Sequence, residues 1–322
     1  MKTIPYFLIL SLIVLGTSCE TLVNTLPESK LPQVDTKLVV QSFISPQDSL
    51  IKVVVTESSP LFGETTPGNR VISKALVSLS NGTTTAVIPY DTASQLYALP
   101  RARFPIAAGR TYTLTVTDGT RTATAACTVP AQQVFVASYK IDSAVASSQV
   151  FGAGFIQRDT VLLVKALWQD PAGQPNFYRL KGWLQTESSV IEFQDRDNYT
   201  ERRVVITRAF DWDESNGRPE FQSDLNLDGI QLSSPIGRVV MPQTTTTNYQ
   251  GKLIVPKQKT KILAVTLRLL NTDQHYYEYH RSVELSRRSG NPFAEPALVY
   301  SNVTGGLGVF AGFTSTTVVA RP

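Results

Sequence analysis

The chain has 322 residues, room for about two domains, with 42% hydrophobic and 17% charged residues and a formal net charge of +4. That balance excludes a disordered tail, a collagen and a coiled coil, and without a long Lys/Arg run it carries no nucleic-acid footprint. Two cysteines cannot make a disulfide framework, and two histidines leave little for histidine chemistry.

Met1-Lys2-Thr3 precedes an apolar run from Ile4 to Leu15, and Gly16-Thr17-Ser18-Cys19 follows. A basic start, a short apolar stretch and small residues before a cut predict a secretory signal peptide over 1–18. The run is too short for a transmembrane helix, which needs about 20 residues. Cys19 stands where a bacterial lipoprotein signal places the cysteine that receives diacylglycerol. Gly16 occupies the position where that signal usually has an aliphatic residue, and ordinary cleavage after Ser18 also fits the small residues. Lipidation of Cys19 is the expectation, because a free thiol at a mature amino terminus has little other purpose. Acyl chains there anchor at about 0.8 kcal/mol per buried CH₂. Residues 19–35, with Pro27 and Pro32, read as a tether to the membrane.

From 36 to 130 the pattern alternates at period two. Runs over 37–44, 50–57, 75–80, 83–88, 96–99, 111–117 and 121–129 predict an immunoglobulin-like antiparallel β-sandwich. Asn81-Gly82 and Asp118-Gly119 lie between such runs and predict type I′ hairpins. Tyr112, Leu114 and Val116 share one face of their strand, and Tyr112 is placed to close a tyrosine corner. On the return strand Cys127 falls with Ala123 and Ala125, which makes it a small core residue and no nucleophile.

Residues 131–322 read as a second, β-rich antiparallel domain. Strands are expected over 134–141, 160–168, 176–183, 204–206, 239–241, 251–255, 262–269 and 310–319, with a turn at Asp170-Pro-Ala-Gly173. The stretch 195–237 is polar and turn-rich and is expected to be loop. One helix is predicted near 272–289, with Asn271 or Thr272 as cap and Asp273 in its first turn. Tyr276, Tyr279, His280, Val283 and Arg287 line one side, a stripe suited to packing on a sheet.

His275 and His280 are five apart and point about 140° from each other on a helix, so they make no zinc pair and leave a Ser–His–Asp triad few ways to assemble. No catalytic residue is assigned. Asp224-Leu-Asn226-Leu-Asp228-Gly229 matches the opening of a calcium loop, but Pro235 stands where the bidentate Glu should be, so Asp224, Asn226 and Asp228 are only a weak metal candidate beside a polar turn. Gly306-Leu-Gly308-Val-Phe-Ala311 fits a dinucleotide fingerprint in letters alone, since strand-like residues follow where a helix is required. Its glycines point to close packing, and no cofactor is expected. Trp168 and Trp183 lie in apolar strands. Trp212, in a polar loop beside acids, is the candidate ligand platform, with Tyr199 nearby.

The chain also shows Leu38-Val-Val-Gln-Ser-Phe-Ile44, Trp168-Gln-Asp-Pro-Ala-Gly-Gln-Pro-Asn-Phe-Tyr-Arg179, Phe221-Gln-Ser-Asp-Leu-Asn-Leu-Asp-Gly229, Asn291-Pro-Phe-Ala-Glu-Pro296 and the stretch from Val299 to Gly312. In this order it resembles a Bacteroidetes lipoprotein family known as domain of unknown function 4249. The resemblance implies an envelope lipoprotein whose gene often neighbours that of a TonB-dependent outer-membrane receptor. It implies no reaction and no catalytic residues, and it makes Asp228-Gly229 a family turn. The expected function is a non-enzymatic accessory or ligand-capturing lipoprotein of a TonB-dependent β-barrel transporter, held in the outer membrane through Cys19. A glycan-binding surface lipoprotein and a purely structural, adhesion-like scaffold are the alternatives. The ligand, small molecule or glycan, is not written in the sequence.

Overall fold

The computed structural model describes residues 35–59, 70–149, 156–195, 198–213, 220–242, 247–249, 252–254, 259–288 and 298–321. Cys19, the signal peptide and most of the tether lie outside them. Among the described residues no helix is long and apolar enough to cross a membrane.

Alternation builds the first half. Strands β1 (Leu38–Ile44), β2 (Leu50–Glu57), β5 (Tyr90–Asp91) and β6 (Leu96–Pro100) lie in one sheet. Strands β3 (Leu76–Ser80), β4 (Thr85–Ile88), β7 (Thr111–Thr117) and β8 (Thr122–Thr128) make a second, in the order β4-β3-β7-β8. Every second residue of β1 is buried, as are Tyr112, Leu114 and Val116 of β7. These faces meet over a core that includes Val53, Leu79, Leu114 and Cys127. Period-two burial across two facing sheets is the expected sandwich. Tyr112 closes the corner by accepting the Ala107 amide at 2.7 Å, and burial pushes the Cys127 thiol well up.

The two hairpins form, but not as type I′ turns. Gly82 and Gly119 have positive φ, whereas Asn81 and Asp118 do not. Asn81 Oδ1 accepts the amides of Thr83 and Thr84 at 3.1 and 2.8 Å, and Asp118 Oδ1 those of Thr120 and Arg121 at 3.0 and 2.8 Å. Each side chain thereby closes a four-residue loop itself, and the left-handed turn at both central residues is not needed.

The second half consists of β9 (Val136–Gln149), β10 (Ile156–Gln169), β11 (Phe177–Phe193), β12 (Tyr199–Ala209), β13 (Asp211–Asp213), β14 (Phe221–Ser223), β15 (Gln231–Ser233), β16 (Ile236–Val240), β17 (Thr247–Tyr249), β18 (Lys252–Ile254), β19 (Lys261–Thr272), helix α1 (Gln274–Arg288) and β20 (Leu307–Ala320). The stretch 195–237, expected to be loop apart from a strand over 204–206, contains β12 to β15 and the start of β16. Its strands are short or, in β12, exposed on both faces, so no alternation marks them. The chain is mainly β, with one helix among the described residues.

β20 joins the halves. It pairs antiparallel with β19 on one side and parallel with β1 on the other, giving a nine-stranded sheet in the order β12-β11-β19-β20-β1-β2-β6-β5, with β14 against β11. On one side of this sheet Phe310 enters the first sandwich core. On that same side Leu180, Leu184, Leu267 and Leu269 meet Leu162, Val164, Ala166 and Trp168 of β10, which belongs to a five-stranded sheet in the order β13-β16-β10-β15, with β9 against β10. Between the two cores runs the segment 130–135, held by Thr314 Oγ1 to Gln132 O at 2.8 Å, Thr316 Oγ1 to Val134 O at 2.6 Å and Asn271 Nδ2 to Gln132 O at 3.1 Å. Gly308 has φ +114°, and a Cβ there would lie 2.0 Å from Val40 O. The glycines therefore let β20 start tight against β1, the close approach expected of them.

Helix α1 covers the opposite side of the sheet. Tyr276 and Tyr277 are buried with Phe221, Leu270, Val309, Ala311 and Phe313, and Phe43, Phe177 and Tyr279 pack around them. The cap is Asp273 rather than Asn271 or Thr272. Its Oδ1 accepts Tyr276 N at 2.8 Å and its Oδ2 accepts Gly312 N at 2.8 Å, so one carboxylate starts the helix and ties it to β20. Asn271 and Thr272 are still the last residues of β19.

Candidate functional site

Two loops meet at the end of the second sandwich. One is the turn 170–176 between β10 and β11; the other is 224–230 between β14 and β15. Each lends carboxylates to the other's backbone. Asp224 Oδ2 accepts Asn176 N at 2.9 Å, and Asp228 accepts Gly173 N at 2.9 and 3.2 Å. In return Asp170 Oδ2 accepts Gly229 N at 2.8 Å, and its Oδ1 accepts the Tyr178 hydroxyl. Gln169 Nε2 donates to Gly229 O at 2.9 Å. Asn226 and Gly229 take positive φ, and a Cβ on Gly229 would press on that of Ala172 at 2.9 Å. Such mutual side-chain-to-backbone bonding fixes loop shape without a regular ladder.

Asp170, Asp224 and Asp228 bring carboxylate oxygens within 4.8 Å of one another. Asp224 and Asp228 belong to the set read from the sequence, and Asp170 joins them from the opposite loop. Burial, helped by Asp170 and Asp228, raises the Asp224 carboxyl above its usual range against the amide bonds from Asn176. Asp170 already accepts the Tyr178 hydroxyl of β11 and Gly229 N of the opposite loop, and both oxygens of Asp228 face the single donor Gly173 N. The cluster is accounted for as the clasp that holds the two loops together.

The clasp presents apolar side chains to solvent. Leu225 is 75% exposed, Leu227 41% and Ile230 46%. Grooves flank them on either side. One, of about 570 Å³, runs past Lys165, Phe221, Leu227, Ile230 and Tyr277. The other, of about 650 Å³, runs past Pro175, Phe177, Leu225, Asp228 and Glu278. Ser223, Tyr277 and Arg281 border both. Arg281 donates to the Tyr277 hydroxyl and sits 5.7 Å from its ring centre, so helix α1 supplies a common, rigid wall. The result is an exposed apolar ridge between two grooves, the kind of feature that makes a candidate contact site.

The side of the sheet that carries α1 also bears a row of cations. Arg179 binds Glu220 at 2.6 Å and Tyr276 Oη at 3.1 Å, and Arg268 binds Asp48 at 2.7 Å and Ser315 Oγ at 3.0 Å. Lys181 lies opposite Arg268 in the β11/β19 register. Burial, then Arg179 and Arg268, lower its ammonium to about 8.

The remaining candidates are placed as follows. Trp212 is half-buried against the second core, and its six-membered ring occupies the space that a side chain at Gly237 would need, while Phe210 and Leu267 crowd Gly182. One side of Trp212 borders a cavity of about 230 Å³ with Lys181 and Trp183. Tyr199 is exposed and pairs with Phe193 at 6.4 Å, far along the β11/β12 hairpin from Trp212. Trp168 is fully buried beside Tyr178. His280 is enclosed by Tyr276, Phe43 and Phe221, with ring centres at 4.4, 5.1 and 5.4 Å. His275 Nδ1 is 2.7 Å from Tyr300 Oη. Sequence reasoning missed Asp170 and Asn176 as partners of the 224–230 loop. The available signal was Asp170-Pro-Ala-Gly173, a turn whose leading aspartate has a free carboxylate to offer a neighbouring loop.

A profile described as domain of unknown function (DUF4249) matches residues 25–318. No curated protein matches the chain. Among solved structures, chicken interferon gamma receptor alpha chain aligns at 8% identity over 73% of this chain and 89% of that one, with a TM-score of 0.16. The B domain of a biofilm associated protein aligns at 7% identity over 87% and 85%, with a TM-score of 0.14. Values this low carry no argument about fold or function.

Proposed function

The chain belongs to the DUF4249 family, and on that premise we propose that it is a non-enzymatic envelope lipoprotein, anchored in the outer membrane through Cys19, that serves a TonB-dependent β-barrel transporter as an accessory or ligand-capturing partner. The observation that carries this reading is the clasped double loop: Leu225, Leu227 and Ile230 stand exposed on a base fixed by three aspartates. Covering such a side chain gains about 2 kcal/mol each, and the flanking grooves supply the additional area a specific interface of about 800 Å² per partner requires. A preformed ridge also avoids the ordering cost that a mobile loop brings to binding.

Cys19 and the tether support the location. A lipid-held body on a short proline-containing leash meets membrane proteins at high effective concentration. The test is copurification from detergent-solubilised outer membrane. A β-barrel transporter recovered with the full-length protein supports the reading. Recovery of the protein from soluble periplasm alone, without a barrel, overturns it.

A further inference from the structure

β9 is the outer strand of the five-stranded sheet. It pairs with β10 along its whole length, from Val136 to Gln149, and among the described residues no strand lies on its other edge. Its 14 residues are long for an edge. Open edges invite another strand, and proteins guard them with proline, bulges or unpaired charge. The run Val136 to Ala146 has no proline, and its only charges are Lys140 and Asp142. These neutralise each other at 2.8 Å while 77% and 51% exposed. The one register shift in the β9/β10 pair falls at its end, between Leu167 and Trp168. The edge is unguarded.

We infer that β9 pairs with β9 of a second copy of this chain, antiparallel, about a two-fold axis through Ile141. The charges select the register. An axis through Lys140 sets lysine against lysine, and one through Asp142 sets aspartate against aspartate; like charges directly opposite are disfavoured. An axis through Ile141 sets Lys140 of each copy opposite Asp142 of the other, which turns one local ion pair into a ring of four alternating charges. On the alternate face the same register brings Tyr139 diagonally across from Val145 of the other copy, on either side of Ile141. Tyr139 and Val145 are 41% and 68% exposed in the single chain. An isologous contact of this kind closes at two copies and joins the two five-stranded sheets into one, so it leaves no growing filament.

Disulfide trapping of the full-length protein in intact cells tests this. Ile141→Cys, on the axis, is expected to cross-link to itself, since opposite residues of an antiparallel pair sit about 4.5–5.5 Å apart. Tyr139→Cys and Ser143→Cys are each expected to remain monomeric alone and to cross-link when expressed together. Lys140→Asp should lower the trapped dimer about tenfold, and Lys140→Asp with Asp142→Lys should restore it. These positions border the open edge, and both natural thiols lie elsewhere in the chain, at Cys19 and in the buried Cys127. Cross-linking at none of the positions overturns the inference. So does equal self-cross-linking at all of them, or trapping of a different protein in place of a second copy. Copurification of a barrel is an independent readout, so either proposal can fail without the other.

Discussion

The two halves of this molecule use the same long sheet differently. The half up to residue 130 buries one face of nearly every strand and closes its hairpins with their own Asn and Asp side chains. The half from 131 carries β12 as a strand exposed on both faces, and it clasps two loops so that leucines point outward. The first half is thus mostly packed core, and the second also leaves an apolar ridge exposed, which on the proposed role is the contact surface. Substitutions should therefore cost stability in the first half and binding in the second.

The largest effect is expected at the strand the halves share. Phe310 is fully buried in the first core, and Phe310→Ala should destabilise by about 3–5 kcal/mol in urea unfolding. Val205→Ala, on the exposed β12, should change stability by less than about 0.5 kcal/mol. Equal costs at the two sites would erase the contrast. Next comes the clasp. Asp170→Ala strands Gly229 N and the Tyr178 hydroxyl, and should cost about 2–3 kcal/mol while raising protease cleavage between 224 and 230. A cost near zero would show that the acids do not hold the loops.

A smaller effect is pH-dependent. Burial, with Arg179, Lys181 and Arg287, lowers His280 to about 3, so the folded chain keeps it neutral where an unfolded histidine takes a proton below about 6.5. The unfolded state then binds more protons, and stability drains away as pH falls from about 6.5 toward 3, by at most about 1.4 kcal/mol per unit. Asp273 works in the opposite sense. Burial raises it to about 7, so the folded state holds a proton that the unfolded carboxyl gives up near 3.8, and its contribution grows as pH falls through that window. His280→Phe, which keeps a ring among Phe43, Phe221 and Tyr276, should flatten the acid limb; an unchanged limb would remove His280 from the account.

How much of this was legible depended on what each residue faces. Strands with one buried side, such as β1 and β7, announced themselves, and the stripe through Tyr276 and His280 gave the helix. β12 was legible only over 204–206, because an exposed arm has little reason to alternate. Asp273 was placed in the first turn and serves as the cap because its second oxygen reaches Gly312, a contact set by tertiary packing. The same holds at the clasp: the 224–229 acids were visible as a motif, but their partners lie about fifty residues away. Trp212 stood out for its polar neighbours, whereas its packing depends on Gly237, on another strand.

The smallest effect on stability should carry the largest effect on function. Leu225→Glu with Leu227→Glu alters exposed side chains above an intact clasp, so folding should be nearly unchanged. Quantifying the β-barrel transporter that copurifies from outer membrane with this variant and with the unaltered chain is the most direct measurement. The proposed role predicts a barrel recovered with the unaltered protein and at least tenfold less with the variant; equal recovery, or no barrel with either, would contradict it.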